Sequence, residues 1–244
     1  MNIALLTASG TGTRTGQDIP KQFIHVNNIP ILVYTLKAFE EHPEIDEICV
    51  VILKGWEEML TAYAKQFNIT KLKYIVEGGN SGQESIYNGL KEIYKKRDRN
   101  DVVLIHDGNR PMVSKKIISE SIEVYKKNGN AVAVIPCTEV VFTLAEKGET
   151  SSVDSLNRDL LVRTQTPHTY QLGEIIDTYQ LAEEKGIINM AASCQLMQVL
   201  GKKSYFSPGS EKNLKITTLD DLEIFKALLN STNDDWIKQG RQNK

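Results

Sequence analysis

A chain of 244 residues with 29 Lys and Arg against 31 Asp and Glu, a formal charge of −2, has no global field to recruit nucleic acid or an anionic membrane. Three distant cysteines, Cys49, Cys137 and Cys194, lack C-x-x-C spacing, and their odd count predicts reduced thiols rather than a disulfide scaffold. No apolar run approaches the ~20 residues of a membrane span and the chain opens directly on a strand, so a soluble, cytoplasmic protein is expected.

The first stretch, Asn2 to Phe23 (NIALLTASGTGTRTGQDIPKQF), joins an apolar strand to a glycine-rich loop and a lysine. Gly10, Gly12 and Gly16 free the backbone for close approach to a ligand, and Arg14 and Lys21 put two cations beside it. In physical terms this is a phosphate cradle. Next, Pro30 to Ile45 spaces Leu32, Leu36 and Phe39 as a helix that His42-Pro43 stops. Ile48 to Leu53 reads as a buried parallel strand, Trp56 to Phe67 as an amphipathic helix and Leu72 to Glu77 as a third strand.

A second glycine-rich turn opens Glu77 to Tyr94 and feeds a helix that Asn80 or Ser81 would cap. The charged run Lys95 to Asp101 reads as a solvated loop. Beyond it, Val102 to Pro111 (VVLIHDGNRP) is a strand ending on His-Asp, at the end where open α/β sheets bind ligands. A helix over Lys115–Asn128 and a strand over Ala131–Pro136 follow. From Cys137 to about Tyr170 short β segments flank a polar turn, which predicts an arm with limbs at Val140–Leu144 and Leu160–Tyr170. Such an arm buries little within one chain, so pairing with a second subunit is its expected use.

Helices over Leu172–Lys185 and Ala191–Leu200, a strand over Lys203–Pro208 and a last helix capped by Thr218 complete the pattern. Together these elements predict an α/β fold: an open sheet flanked by helices, with a projecting β-arm used for dimerisation. One domain over residues 1–230 would include the arm at 137–170, and residues 231–244 form a polar tail.

Charged residues recur near element ends: Arg14 and Lys21, Asp107 and Arg110, Arg158 in the arm, and Lys215. Singly, each reads as a solvated surface side chain, and Asp107 as a turn cap before Gly108. As a set they suit nucleotidyl transfer, which builds negative charge on an α-phosphate and on departing pyrophosphate and so needs Lys, Arg, backbone N–H groups and Mg²⁺. Asp107 is the natural hard oxygen ligand for that Mg²⁺. Other reaction classes fit less well. The first-loop glycines miss the dinucleotide spacing by one residue, no P-loop Gly-Lys-Ser/Thr follows, no nucleophile elbow is present, and His25, His42, His106 and His168 form no metal-ligand cluster. The histidines read as packing or turn residues.

Five ordered motifs span almost the whole chain: Ala8–Gly16 (ASGTGTRTG) with Pro20-Lys21-Gln22, Gly78–Leu90 (GGNSGQESIYNGL), His106–Pro111 (HDGNRP), Thr164–Tyr170 (TQTPHTY) and Asn213–Thr217 (NLKIT). In these the chain resembles the polyol-phosphate cytidylyltransferases, which act on 2-C-methyl-D-erythritol 4-phosphate in isoprenoid synthesis or on D-ribitol 5-phosphate in surface-polymer synthesis. The resemblance implies a Rossmann-like, mostly parallel sheet, CTP and a phosphorylated polyol as substrates, Mg²⁺ as cofactor, and a homodimer whose arms complete each other's sites. It implies that Ala8, Ser9, Gly10, Thr11 and Gly12 hold the nucleotide with Arg14 and Lys21 on the triphosphate. Gly79, Asn80 and Ser85 would lie against cytosine, and Asp107 would hold the metal. Lys215 would join Lys21 and Arg14 at the α-phosphate. Arg110, Thr166 and the partner's arm, through Arg158, would take the acceptor.

The chain departs from the family's usual residues at several places. Gly82 stands where an arginine is common, Glu139-Val140 where Asp-Thr is common, Asn189-Met190 where an aspartate is usual, and His168 where glutamine is common. Gly82 removes a cation from the nucleotide side; a site built to hydrogen-bond hydroxyls discriminates strongly, so the changes near the acceptor point to a changed substrate. A catalytically reduced nucleotide-binding paralogue, a different sugar-phosphate acceptor and a donor other than CTP are the competing readings.

Overall fold

The structure, a computed structural model, describes residues 1–10 and 19–231. Its strands in chain order are β1 (Asn2–Ala8), β2 (His25–Val26), β3 (Ile29–Pro30), β4 (Glu47–Ile52), β5 (Leu72–Glu77), β6 (Val102–Asp107), β7 (Asn130–Pro136), β8 (Val141–Thr143), β9 (Asp154–Leu156), β10 (Val162–Gln171) and β11 (Phe206–Pro208). The helices are α1 (Ile31–Glu40), α2 (Glu57–Gln66), α3 (Gly82–Tyr94), α4 (Lys115–Asn128), α5 (Leu172–Glu184), α6 (Ser193–Val199) and α7 (Leu219–Asn230).

Seven strands form the central sheet in the order β11-β7-β10-β6-β1-β4-β5. β1 pairs in parallel with both β4 and β6, whereas β10 runs antiparallel between β6 and β7. Helices cover both faces, which is why the inner strands are continuously apolar. Along β1 the period-2 alternation is visible: Ala4, Leu6 and Ala8 face a core with Leu32 and Phe39 of α1, Leu60 of α2 and Ile118 of α4. Ile3 and Leu5 face the opposite core with Leu90 of α3, Ile175 of α5 and Leu196 of α6. At about 1.5–3 kcal/mol for each fully buried aliphatic side chain, these two layers dominate the packing energy.

Local signals set the helix ends. Ser81 Oγ accepts the Glu84 N–H at 3.1 Å and so caps α3, Ser114 caps α4, and Gly129 ends α4 in the left-handed region at φ 89°. Thr218 and Asp221 form a reciprocal capping box on α7.

One correction concerns the arm. Leu160–Tyr170, expected as its second limb, contributes β10 to the sheet interior, where Gln165 to Tyr170 are buried. The segment looks polar in sequence because its polar groups find internal partners: Thr169 Oγ1 hydrogen-bonds Ser121 Oγ at 2.7 Å. Outside the main sheet, β8 pairs antiparallel with β9 as a separate two-stranded ribbon that leaves Val140, Phe142, Val153 and Leu160 exposed. Among the described residues, no helix is long and apolar enough to cross a membrane.

Candidate active site

β1, β5 and β6 are parallel members of the sheet, and their carboxyl ends open onto one cleft. β6 delivers Asp107, and the turn after it is pressed against β1: Gly108 N–H donates to the Thr7 carbonyl at 2.9 Å. A Cβ at Gly108 would meet that same carbonyl oxygen at 2.8 Å, so only glycine fits beneath the site. Asp107 Oδ1 accepts from Lys215 Nζ at 3.0 Å and Oδ2 from Arg110 Nε at 2.9 Å. Burial alone would raise its pKa, but the charges of Lys215 and Arg110 and the hydrogen bonds from both hold it well below the usual carboxylate range. Asp107 is therefore an anion at any physiological pH.

Behind it lies a buried polar relay. Asp107 N–H donates to Thr166 Oγ1 at 3.0 Å, and Thr166 Oγ1 lies 3.0 Å from His106 Nδ1. His106 Nε2 faces the Arg110 carbonyl at 3.3 Å, which can only accept, so Nε2 carries the proton and Nδ1 accepts from Thr166. Burial lowers the His106 pKa to about 4, in keeping with a neutral ring. Arg110 Nη1 in turn donates to the Asn213 carbonyl at 2.7 Å.

The cleft has two parts that share Thr7, Ile86, Asp107, Ala191 and Lys215. The larger, about 550 Å³, is lined on one side by Ala8, Ser9, Gly10 and Lys21 and on the other by Gly79, Asn80 and Ser85. Ser85 Oγ ties the two sides together, accepting from Ser9 Oγ and from Gly79 N–H, each at 3.0 Å. The smaller part, about 210 Å³, contains Arg110, Thr166 and His168. Arg158 lines neither; it is exposed beside the ribbon and donates to the Thr138 carbonyl at 3.0 Å. Arg14, Thr11 and Gly12 lie outside the described residues, as does nearly all of the expected tail.

Of the altered positions, Gly82 opens α3 at the rim of the larger cavity, where a Cβ would meet nothing within 4 Å. Asn189 sits at φ 60°, and Met190 N–H donates to Gln83 Oε1 at 2.9 Å, so the turn is strapped to α3. Val140 is exposed on the ribbon side.

Sequence reading missed the residues that position this site. Gln22 Nε2 donates to the carbonyls of Ala8 at 2.6 Å and Gly10 at 3.1 Å, bracing the first loop. Asn213 Nδ2 donates to the Thr166 carbonyl at 2.9 Å, and Asn109 exchanges bonds with the backbone of Ile216, so both hold the segment carrying Lys215. All three stand inside the quoted motifs. Their signal was a short amide side chain next to a charged one in an otherwise irregular segment.

Fold and site together define a class: a Rossmann-like α/β nucleotidyltransferase that gathers lysines in one cleft with a partly buried carboxylate at the carboxyl ends of its strands. The chain belongs to the 2-C-methyl-D-erythritol 4-phosphate cytidylyltransferase family, which matches residues 2–231. A ribitol-5-phosphate cytidylyltransferase of Lacticaseibacillus paracasei is 38% identical over 231 residues, 94% of this chain and 98% of that protein. A 2-C-methyl-D-erythritol 4-phosphate cytidylyltransferase of Clostridium botulinum is 35% identical over 228 residues, 93% of this chain and 97% of that protein. In the solved structures, the Francisella tularensis 2-C-methyl-D-erythritol 4-phosphate cytidylyltransferase superposes with a TM-score of 0.78 at 29% identity, covering 91% of this chain and 97% of that one. The protein is a cytidylyltransferase acting on a polyol phosphate.

Proposed function

We propose that the enzyme joins CTP to D-ribitol 5-phosphate, releasing pyrophosphate and a CDP-polyol, with 2-C-methyl-D-erythritol 4-phosphate as the competing acceptor. The observation that carries this reading is the convergence of Lys21, Asp107, Lys215 and Arg110 on one cleft with two connected chambers. The larger chamber suits the nucleotide and the smaller the acceptor. The higher identity to the ribitol-5-phosphate relative favours the unbranched pentitol.

In the reaction an oxygen of the acceptor phosphate attacks the α-phosphorus of CTP. The bond to the oxygen bridging the α- and β-phosphates breaks, and pyrophosphate leaves with the electron pair. Lys21 and Lys215 stand where charge would accumulate on the phosphate oxygens, and they act by electrostatics already in place before the reaction. Arg14 is assigned the same role. Asp107 orients Lys215 and Arg110 through its two oxygens, while Thr166 and Arg110 border the acceptor.

Mg²⁺ is the proposed cofactor. Among the described residues no group of three or more His, Cys, Asp or Glu could hold a metal, so the ion would draw most of its ligands from CTP. Asp107 fits this: it is ionised, and each of its oxygens has a second lone pair beyond its present ion pair. When bound, the ion supplies charge neutralisation on the phosphates. Exposed Val140, Phe142 and Leu160 beside the ribbon support a homodimer through this region, with Arg158 offered to the partner's acceptor chamber. Three free, buried cysteines support a reducing, cytoplasmic setting.

The test is pyrophosphate release by the purified protein with CTP, Mg²⁺ and each acceptor in turn. Turnover with D-ribitol 5-phosphate, faster than with 2-C-methyl-D-erythritol 4-phosphate, is expected. Faster turnover with the latter moves the enzyme to isoprenoid synthesis, and no release with either sinks the reading.

A further inference from the structure

The acceptor chamber holds one buried polar side chain that the scheme above leaves idle. His168 is 2% exposed and lines the chamber, and its Nδ1 has no hydrogen-bond partner. β10 fixes its position, opposite Ile105 on β6 and Val132 on β7. The other buried polar side chains of the same wall are engaged. Thr166 serves His106 and Asp107, Gln165 Nε2 donates to the Ser210 carbonyl at 2.9 Å, and Ser193 Oγ meets the Tyr179 hydroxyl at 2.8 Å. Ile86, Ile105, Ala191 and Ala192 give the chamber shape but no hydrogen bond.

A buried polar atom left unpaired is destabilising, and such atoms in folded proteins concentrate where something else supplies the partner. The chemistry of that partner follows from the ring. Burial lowers its pKa to about 4 despite the nearby Asp107 charge and a backbone interaction with Gln165, so at neutral pH the ring is neutral and Nδ1 is left as an unpaired acceptor. A neutral acceptor nitrogen complements a hydroxyl, which can donate to it. It offers little to a phosphate, for which Lys215 and Arg110 stand in the same chamber.

We propose that His168 binds a hydroxyl of the acceptor's polyol chain and is a specificity-determining residue of this enzyme. The proposal rests on the reading of the smaller chamber as the acceptor site. It assigns to the alcohol end of the substrate a contact distinct from the cations that hold its phosphate.

The experiment is steady-state kinetics with whichever polyol phosphate the wild type turns over, plus analogues of it each lacking one hydroxyl. In the wild type one of these analogues should have a KM raised about tenfold, the scale of one lost neutral hydrogen bond. His168→Leu should raise the KM of the full acceptor about tenfold, leave the KM of CTP within about twofold, and abolish discrimination against that one analogue. Its melting temperature should not fall, because the idle polar atom is gone; a histidine kept for packing would show the reverse. His168→Gln keeps a donor and an acceptor and should retain the discrimination. Equal KM values for every analogue in the wild type overturn the proposal without any variant, and so does unchanged acceptor KM in His168→Leu. Either result leaves the cytidylyltransferase reading standing, whereas a wild type inactive with every polyol phosphate overturns both.

Discussion

Glu47 and Asp107 occupy opposite ends of the same parallel sheet, Glu47 the first residue of β4 and Asp107 the last of β6. Their side chains are 8% and 17% exposed, and each is paired with an arginine and holds a pKa below its ordinary value. Glu47 takes Arg97 Nε at 2.8 Å, a second bond from Arg97 Nη2, and the Tyr74 hydroxyl at 3.0 Å. Those donors come from the adjoining strand and loop, and Glu47 lines neither chamber of the cleft. Asp107 has a second cation, Lys215, 43% exposed and facing two chambers. A depressed carboxylate pKa therefore marks both a structural pin and a candidate active site, and what separates them is an accessible surplus of positive charge over the carboxylate.

The largest effect expected from breaking this contrast is at Asp107. Asp107→Asn should reduce kcat/KM about a thousandfold, and Lys215→Ala about a hundredfold, because both remove charge placement at the reacting phosphate. Pyrophosphate release measured across a range of CTP and acceptor concentrations gives both. A variant retaining more than a tenth of wild-type turnover would move Asp107 to the structural side.

Glu47→Gln should do the opposite. Loss of the paired charge should cost about 2 kcal/mol and lower the melting temperature about 4–8 °C at pH 7, with kcat unchanged. The pH dependence fixes the cause. The hydrogen bonds from Arg97, chiefly, keep the folded pKa of Glu47 below its unfolded value. In acid the unfolded chain takes up the proton first, so this contribution is complete above about pH 4.3 and is lost as pH falls further. The melting temperatures of wild type and variant should converge as pH falls below the depressed folded pKa of Glu47. Parallel curves at all pH values would mean that shape, not charge, was lost.

The sheet and the charged residues of the cleft were legible in the sequence for a common reason: buried parallel strands impose continuous apolar runs, and charges at their carboxyl ends stand out against them. Glu47 was not legible as a pin, since a glutamate beside the apolar run Ile48–Ile52 gives no sign that Arg97, fifty residues on, will reach it. β10 was misassigned because its buried polar side chains Gln165, Thr166 and Thr169 find their partners on other elements. The same blindness hid Gln22, Asn109 and Asn213, each of which bonds to backbone that only the fold brings near. What sequence does not encode locally is which polar groups will satisfy one another across the structure.

The smallest effect tests the contrast within the site end itself, where not every buried polar group is expected to act on the chemistry. Ser85 is 2% exposed and joins the two walls of the nucleotide chamber through Ser9 and Gly79. Gly78 makes this junction tight, because a Cβ there would come within 2.3 Å of Ser9 Cβ. Ser85→Ala leaves the Gly79 N–H without its acceptor and lets the walls separate, at a cost of about 1 kcal/mol. If the junction only shapes the chamber, that loss falls equally on bound CTP and on the transition state, so KM for CTP rises about fivefold while kcat holds within about twofold. A fall in kcat at unchanged KM would instead give the Ser85 hydroxyl a contact made only as the α-phosphate reacts, and would extend the catalytic group beyond the charged residues around Asp107.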